Sequence, residues 1–466
     1  MPHARLLPSF LLLLLAVSTL DAHITLSFPP ARHPPLDFLD TGRTHGPCGV
    51  PQTERSVYTT LQTERDYNFT FRLQYPHQGG FRLKLLDYLG NEVEQLAPTK
   101  AVDDPAASNS FDGLDDQSLE WKQVRIQSMC PNCTIVLERQ ALEWGPSYKF
   151  HSCAQVHVVQ SFPNDQQRCL NGGTWKDERC ECRVGFTGEF CQHKGECNSD
   201  EDCQNGGKCV PNGIFPNINS CFCPNGYFGS KCQEKSVAAF SDDECFHHID
   251  GKPAPASFKH GLFEERCFKK FELTDDDILY SRIVKDQLEL ILDFQTNSYV
   301  SLGWRPAHIP KTCRLFPDLS QTVGQHERGA NTSGYLQSAL DAPLHPMDCT
   351  DIVMASVLEG DFVYARDMYT RDRSTPLNDE LLDGEQSLTS VYGIQRDGRT
   401  IVMFRRGIRE IEPSDMPLGP GKIHVIHAKG QTQGHYKHSA PSALEKNRTA
   451  VRDFYKNDRF QYHGSQ

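Results

Sequence analysis

A histidine directly follows an apolar leader near the start of the chain. Residues 6–17 form an apolar run, LLPSFLLLLLAV, and Ala22 precedes His23. Such a run with a small residue before the cut is typical of a secretory signal peptide, so we expect residues 1–22 to be removed, although Leu20 is large for its place two residues earlier. The free amine and the ring nitrogen of His23 would then form a chelating pair for one metal ion.

A second histidine would complete a planar set of three nitrogens, which suits Cu(II). The segment QYPHQGGFRLKLL places His77 on a loop between two predicted strands. In YKFHSCAQVHVV, Phe150 lies three residues before Cys153, on the expected last strand of the first domain. The competing histidines, as ligands or as ordinary surface residues, are His33, His45, His151 and His157.

Strands must position these side chains. Residues 23–160 show period-two alternation, as in YNFTFRLQY and in FRLKLLDYLG with its Gly-Asn turn, which predicts an antiparallel sandwich. The acidic stretch 101–118, AVDDPAASNSFDGLDDQS, is typical of a long exposed loop.

With HITLSFPPAR, GPCG and CPNCTIVLE, these segments resemble the lytic polysaccharide monooxygenases, copper enzymes that cleave chitin and cellulose, and above all the chitin-active type. The family's pattern is a mature N-terminal histidine with a P-x-x-R turn, a second histidine ahead of a strand, and an aromatic residue three before a cysteine. The resemblance covers about residues 23–160. It implies an immunoglobulin-like or fibronectin-like β-sandwich that carries copper.

Carried over to this chain, the pattern implies ligands for one copper ion. His23 would bind through its amine and ring, His77 would bind through its ring, and Phe150 would shield an axial face. Alternation puts Tyr148 on the face of Phe150 and Gln155 on the opposite face, so Tyr148 is the expected neighbour of the site. The resemblance implies oxidative cleavage at C1 or C4 of a β-1,4-linked sugar, with copper reduced by an electron donor.

The same resemblance implies a Cys48–Cys153 bridge between the first loop and the last strand. Cys130 and Cys133 would form the remaining pair, or each would have another partner.

Residues 166–192 and 194–233 resemble epidermal-growth-factor-like (EGF-like) modules through C-x-NGG, C-x-C and G-[FY]-x-G-x-x-C. In the first module Trp175 replaces the third cysteine and the first cysteine is missing, and the family would have paired those two. The family's pairing implies the bridges Cys169–Cys180, Cys182–Cys191, Cys197–Cys209, Cys203–Cys221 and Cys223–Cys232. Modules of this size depend on their bridges, and their plainest role is that of a stiff spacer.

Residues 237–430 are predicted to form a second β-sandwich. QLELILDFQTNSYVSLGW alternates and turns at Asn297-Ser298, and VYGIQRDGRTIVMFRRGI has a hairpin turn at Asp397-Gly398. With MDCTDIVMA, FVYARDMYT and KIHVIHAKG, this region resembles the DOMON family, whose β-sandwiches bind haem or sugars. The resemblance implies a haem b site in which Met347 pairs with His427, or with His424, because Met/His is a good ligation set. The alternative is a carbohydrate-binding or purely structural sandwich.

Composition sets the remaining expectations. The 466 residues include 18 cysteines, which fall into even groups, and four N-glycosylation sequons, at Asn68, Asn132, Asn331 and Asn447. A net charge of −12 without a basic stripe argues against nucleic acid, and no later apolar run is long enough for a membrane span. We expect a secreted protein with a polar tail, residues 431–466, that carries a short helix near 442–455.

The sequence thus favours a secreted copper monooxygenase that acts on an extracellular polysaccharide, with the DOMON region supplying glycan binding or electrons. Two other functions stay open. The chain could be a non-catalytic adhesion protein that binds glycans, or a protein that captures copper without turnover.

Overall fold

The chain is mainly β, as the sequence predicts. The structure, a computed structural model, describes residues 24–32, 35–37, 39–41, 44, 46–50, 52, 57–73, 78–98, 111, 119–162, 164, 168–188, 190–211, 219–240, 243–249, 252–316, 343–372, 374–430 and 449–453. Its helices are short 3-10 turns, at Leu142–Trp144, Asp200–Asp202, Gln204–Gly206, Glu265–Cys267, Lys311–Leu315 and Asp379–Leu382. Within these residues no helix has the length and apolar character needed to cross a membrane.

The first sandwich contains eight strands in two sheets. They are β1 (Ile24–Phe28), β2 (Tyr58–Gln62), β3 (Asp66–Leu73), β4 (Phe81–Leu86), β5 (Glu92–Ala97), β6 (Leu119–Arg125), β7 (Cys130–Gln140) and β8 (Lys149–Val159). One sheet has the order β1-β3-β6 and the other has the order β2-β8-β7-β4-β5. Alternate residues of β1 and β3 are buried against the second sheet, among them Leu26, Phe69 and Phe71. Burial of each such side chain contributes roughly 1.5–3 kcal/mol, so this alternation holds the two sheets together.

Two small modules follow, each built from short hairpins. Their strands are β9 (Thr174–Lys176), β10 (Arg179–Glu181), β11 (Phe186–Thr187), β12 (His193–Lys194), β13 (Lys208–Pro211), β14 (Asn219–Pro224), β15 (Tyr227–Phe228) and β16 (Glu234–Lys235). The bridges are Cys169–Cys180, Cys182–Cys191, Cys197–Cys209, Cys203–Cys221 and Cys223–Cys232. Where the first module lacks a bridge, the Arg168 guanidinium lies 4.9 Å from the centroid of the Trp175 ring. A cation–π contact therefore takes the place of the missing covalent link.

The second sandwich contains eleven strands. They are β17 (Lys269–Glu272), β18 (Ile278–Val284), β19 (Gln287–Phe294), β20 (Val300–Pro306), β21 (Thr350–Leu358), β22 (Phe362–Thr370), β23 (Leu377–Asn378), β24 (Leu388–Arg396), β25 (Arg399–Gly407), β26 (Lys422–Lys429) and β27 (Thr449–Asp453). One sheet has the order β17-β18-β19-β25-β24. The other has the order β22-β21-β20-β26-β27, with β23 beside β22. The core between them includes the Trp304 side chain and the four predicted inward residues of β19, Leu288, Leu290, Leu292 and Phe294.

Both turns predicted in this region are present, with one difference. Asp397 and Gly398 have φ of 52° and 73° and join β24 to β25 as an antiparallel hairpin. The Asn297-Ser298 turn, in contrast, carries the chain from one sheet to the other, since β19 pairs with β25 and β20 pairs with β26. Two further bridges are present in this domain. Cys245–Cys267 lies before β17, and Cys313–Cys349 joins the helix after β20 to the residue before β21.

The helix predicted near 442–455 is wrong where the structure describes that segment. Residues 449–453 form β27, which pairs antiparallel with β26. The unpaired N–H and C=O groups along the edge of β26 offer hydrogen bonds that a short polar helix cannot match, so pairing overrides local preference.

The EGF-like modules are docked against the sandwiches rather than standing free as spacers. The Phe190 ring of the first module packs 5.6 Å from Phe28 and 5.7 Å from Tyr67, between ring centroids. In the second module, β14 pairs with β22 and extends the sheet, and Glu196 accepts hydrogen bonds from the Arg366 guanidinium at 2.7 and 3.1 Å. Each module therefore shares a core or a sheet with its larger neighbour.

This docking can be tested by truncating Phe190. We expect Phe190→Ala to lower the stability of the first sandwich by about 3 kcal/mol, because a buried aromatic anchor between two units is lost. Thermal unfolding followed by calorimetry measures the shift. Val184→Ala, at a site 63% exposed on the same module, is the matched control and should shift the transition little. Equal shifts for the two variants would show that the module is a free spacer.

Candidate metal centre

The pairing of β1 with β3 determines which strand ends lie side by side in the first sandwich. Ile24, the first residue of β1, lies opposite Leu73, the last residue of β3. His23 precedes Ile24 directly, and His77 lies four residues after Leu73. Both histidines lie outside the described residues. Because an antiparallel pair places the start of one strand beside the end of the other, the residues that flank the two segments, Ile24 and Leu73, lie side by side at one end of the sandwich, hereafter the metal edge.

The start of β1 is held from two sides. The backbone N–H of Ile24 donates to the carbonyl of Asp37 at 2.8 Å. Two residues later, the N–H of Leu26 donates to the hydroxyl of Ser152 on β8 at 3.0 Å. The residue before Ile24 therefore has a firmly anchored neighbour.

The end of the second segment is also held, by a turn that requires glycine. The N–H of Leu142 donates to the carbonyl of Gln78 at 3.0 Å. Gly79 has φ of 106°, and a Cβ there would come within 2.6 Å of the Cβ of Gln140. Only glycine lets this turn lie so close to the end of β7. The turn leads into β4, and its hydrogen bond to Leu142 ties it to the Leu142–Trp144 helix.

Three aromatic rings lie beside this edge. Phe150 is fully buried, and its ring centroid lies 5.7 Å from that of Trp144 and 5.6 Å from that of Tyr148. Trp144 and Tyr148 meet edge to face at 4.9 Å and are half-buried. Tyr148 and Phe150 thus lie on one face, as alternation predicts, and Gln155 lies on the other. Their role toward a metal ion stays a prediction.

The arginine of the P-x-x-R turn has a structural role. The Arg32 guanidinium donates to the Gln155 side chain at 2.8 Å and to the Val50 carbonyl at 2.9 Å, and the Arg32 N–H donates to the Cys153 carbonyl at 2.7 Å. The Cys48–Cys153 bridge lies beside these contacts. Together they tie the loop after β1 to β8. The structure also joins Cys130 to Cys133 within β7.

His151 is neither a surface residue nor an open ligand. It is 2% exposed, and its Nε2 lies 3.0 Å from the hydroxyl of Thr44. Burial lowers the pKa of His151 to about 4, and the charges of Asp40 and Glu138 offset only part of that effect. A Cβ at Gly49 would lie 2.5 Å from Nε2, so the loop closes tightly over the ring.

Of the other competing histidines of the first domain, the structure describes only His157. The His157 ring stacks on Tyr58, with centroids 4.3 Å apart, far along β8 from Phe150. His33 and His45 lie outside the described residues. An amine with two imidazoles is a set of nitrogen donors that suits copper, so the chemistry of His23 and His77 fits that ion.

Two predicted sequons can be placed. Asn68 on β3 and Asn132 on β7 are exposed, and the Asn132 side chain accepts a hydrogen bond from the Tyr58 hydroxyl at 2.9 Å. Asn331 and Asn447 lie outside the described residues, as does most of the predicted loop 101–118.

The residues proposed to ligate haem lie at different levels of the second sandwich. His427 on β26 is 8% exposed and packs edge to face on Phe294, with centroids 5.9 Å apart. Met347 is half-buried in the turn before β21, whereas His427 lies opposite Leu302, which pairs with Val353 inside that strand. His424 lies opposite Arg305, and burial followed by the charge of Arg305 lowers its pKa to about 4. Haem ligation stays a prediction.

Sequence reasoning missed a cluster of acidic side chains in the second sandwich. Asp351, Asp367 and Asp415 surround the buried Arg406, and Asp379 and Glu412 lie beside Asp415. Burial, and then the charges of its acidic neighbours, raise the pKa of Asp379 to about 9. The available signal was an aspartate at an inward position of an alternating strand, as in FVYARDMYT, where a core residue is expected.

A contact between the two sandwiches also lies near the metal edge. The Asp37 carboxylate accepts hydrogen bonds from the Thr375 N–H at 3.0 Å and from its hydroxyl at 2.5 Å. Asp37 is the residue whose carbonyl holds Ile24. The loop after β22 is therefore next to the start of β1.

Comparison with known proteins supports an extracellular, EGF-containing chain. No family model matches. The chain is 36% identical to a cubilin homolog of Caenorhabditis elegans over 149 residues (31% of this chain, 3% of that protein). It is 32% identical to human fibrillin-3 over 101 residues (22% and 3%), and 41% identical to mouse neurogenic locus notch homolog protein 2 over 65 residues (13% and 2%).

The chain thus spans about 3% of the length of the first of these relatives. Among solved structures, an AA10 lytic polysaccharide monooxygenase from Streptomyces lividans matches with a TM-score of 0.21 and 12% identity, over 29% of this chain and 99% of that one. A TM-score at that level is too low to assign a fold or a function.

The buried His151 predicts an acid-sensitive first sandwich. In the unfolded chain this histidine takes up a proton near its usual pKa of 6.5, but in the native state it does so only near 4. Stability is therefore full above pH 6.5 and is lost as the pH falls toward 4, by about 3 kcal/mol. Denaturant unfolding of wild type and His151→Gln from pH 8 to pH 4 measures this, and the difference in slope should be confined to the acid range. Parallel curves throughout would contradict it.

Proposed function

We propose that the first sandwich binds one copper ion through the amine and ring of His23 and the ring of His77, and that the chain oxidatively cleaves an extracellular β-1,4-linked polysaccharide. The observation that carries this proposal is the Ile24–Leu73 register, which sets the residue after His23 beside the last residue of β3, four positions before His77. The aromatic cluster beside that edge and the resemblance in sequence give further support.

The chain's own residues would prepare this edge. The Ile24–Asp37 hydrogen bond fixes the residue that follows the terminal amine. Trp144, Tyr148 and Phe150 give the edge an apolar flank, which limits the access of water to one side. Copper, when bound, would supply one-electron chemistry with dioxygen or peroxide. The polysaccharide would lie across the edge as an extended surface ligand.

The second sandwich would assist from a fixed position. The Asp37–Thr375 hydrogen bonds bring one of its loops to the same edge, so the two domains would face a long ligand together. Its two-sheet architecture agrees with the DOMON resemblance. We propose that it contributes glycan contacts or passes electrons from a donor, the latter only if haem binds at Met347 and His427 or His424.

A second candidate is a matrix protein that binds glycans without catalysis. It is favoured by similarity to extracellular proteins such as the basement membrane proteoglycan of Caenorhabditis elegans, 33% identical over 88 residues, 19% of this chain and 2% of that one. In that case the metal edge would serve adhesion or copper capture.

Copper binding is tested on the secreted chain. N-terminal sequencing should find His23 first, because cleavage after Ala22 creates the chelating amine. Titration should then show one tightly bound Cu(II), and His77→Ala should weaken binding at least a hundredfold. His157→Ala, a histidine stacked on Tyr58 away from this edge, is the control and should bind as wild type does. A terminus elsewhere, or equal binding by the two variants, would overturn the copper site.

Activity separates the two candidates. With ascorbate and copper, the chain should release oxidised oligosaccharides from chitin or cellulose, detected by mass spectrometry, and His77→Ala should release none. A chain that binds copper and glycan but forms no oxidised product on several β-1,4-linked substrates would favour adhesion or copper capture.

A further inference from the structure

The inner part of the acidic cluster is neutralised by a single arginine. The Arg406 guanidinium lies 2.7 Å from Asp351, 3.4 Å from Asp367 and 2.9 Å from Asp415, and these four side chains are buried. The guanidinium also lies 4.9 Å from the centroid of the Trp304 ring. One positive charge thus faces three carboxylates before the outer part of the cluster is counted.

The outer part adds two more carboxylates to the same pocket. Asp379, Glu412 and Asp415 each offer an oxygen within 4.8 Å of the others. Asp379 is fully buried, and neither of its carboxylate oxygens has a hydrogen-bond partner among the described residues. A buried carboxylate in that state is costly, since it has lost water and gained no donor.

The backbone is shaped to bring these oxygens together. The N–H of Gly384 donates to the carbonyl of Asp379 at 2.8 Å, which closes the short helix that carries this aspartate. A Cβ at Gly384 would lie 2.2 Å from Oε1 of Glu412 and 2.5 Å from the hydroxyl of Ser414. A larger residue at this position would push the Glu412 carboxylate aside, so glycine suits the observed approach of the two loops. The pocket is therefore a built feature that leaves Asp379 without a partner.

We propose that Asp379, Glu412 and Asp415 bind a calcium ion that stabilises the second sandwich. If all five carboxylates were ionised, the single guanidinium would leave four negative charges in excess, and a divalent cation would offset half of them. Carboxylate oxygens are the donors that Ca²⁺ prefers, at 2.3–2.6 Å. Mg²⁺ is usually bound through only one or two carboxylates and keeps several waters, and Zn²⁺ favours Cys and His donors, so a set of three carboxylates suits Ca²⁺ better.

This calcium site is independent of the copper site proposed at the metal edge, which lies in the first sandwich and would use nitrogen donors. The competing explanation is that protons, shared among the carboxylates, neutralise the pocket. The two explanations differ in one measurable respect, because only a cation site makes stability depend on calcium at constant pH.

The test uses the full secreted chain, treated with a chelator and then titrated with CaCl₂ at neutral pH. Calorimetric titration should show a calcium site in wild type, and Asp379→Asn should lower its affinity at least tenfold. Thermal unfolding of the second sandwich should shift upward by several degrees with Ca²⁺ in wild type but not in Asp379→Asn. Without Ca²⁺, Asp379→Asn should unfold at the same temperature as wild type or higher, because an amide is neutral without a bound proton or cation.

Two more variants make the result decisive. Glu412→Gln, at a half-buried side chain, should lose the calcium response as well, and it serves if Asp379→Asn does not fold. Asp361→Asn is the matched control, since Asp361 pairs with Arg396 at 2.6 Å elsewhere in the domain, and it should respond to Ca²⁺ as wild type does. A wild-type chain whose unfolding is unchanged by chelator and Ca²⁺, or variants that respond like wild type, would overturn the site in favour of protonation.

Discussion

The antiparallel pairing of β1 with β3 is the constraint on which the candidate metal centre depends. It sets Ile24 against Leu73, so the residue before β1 and the loop after β3 share an edge. A slip of one residue would turn Ile24, Leu26 and Phe28 from the core to the solvent. The hydrophobic effect therefore holds the register, and the register determines where a free terminal amine would lie.

The loop after β1 also helps to hold this register, through its contacts with β8. Arg32 fills its hydrogen bonds with Gln155 and Val50, and the Cys48–Cys153 bridge closes the same loop. The loop cannot leave β8 without exposing a buried guanidinium and a buried histidine, His151. The start of β1 is thus held by packing on one side and by a polar network on the other, which suits a site that needs a fixed N-terminus.

How far the sequence predicts this structure follows from how local each signal is. Alternation in β3 and β19 predicted buried faces, because a strand's period of two needs only its own residues. The cysteine pairs expected from the resemblances are the pairs that the structure joins, but the four cysteines after residue 240 allowed three pairings and gave no choice among them. The β27 strand was missed because it is defined by pairing with the edge of β26 and not by a pattern within residues 449–453.

Contacts between distant elements were beyond sequence reasoning for the same cause. Nothing in Asp37 or Thr375 alone indicates that they meet, and Phe190 reads as an ordinary module residue until Phe28 and Tyr67 are seen around it. For the predicted ligands His23 and His77, the sequence predicts residue types and spacing, and the described strands add only that Ile24 and Leu73 lie side by side.

The buried acids of the second sandwich cost stability when no ligand is bound, and they would stabilise the domain when a cation binds. A core that keeps Arg406 among Asp351, Asp367 and Asp415 gives up apolar packing, and such a pair is commonly no more stabilising than hydrophobic residues of the same volume. The extra carboxylates at Asp379 and Glu412 make the balance worse for a protein without a cation. In a setting rich in calcium the same arrangement would become favourable, because the proposed ion would offset part of the negative charge and join the loops that carry Asp379 and Glu412. The loop at Thr375, which touches Asp37 beside the metal edge, lies four residues before Asp379, so an ion bound at Asp379 would also help to hold that loop in place.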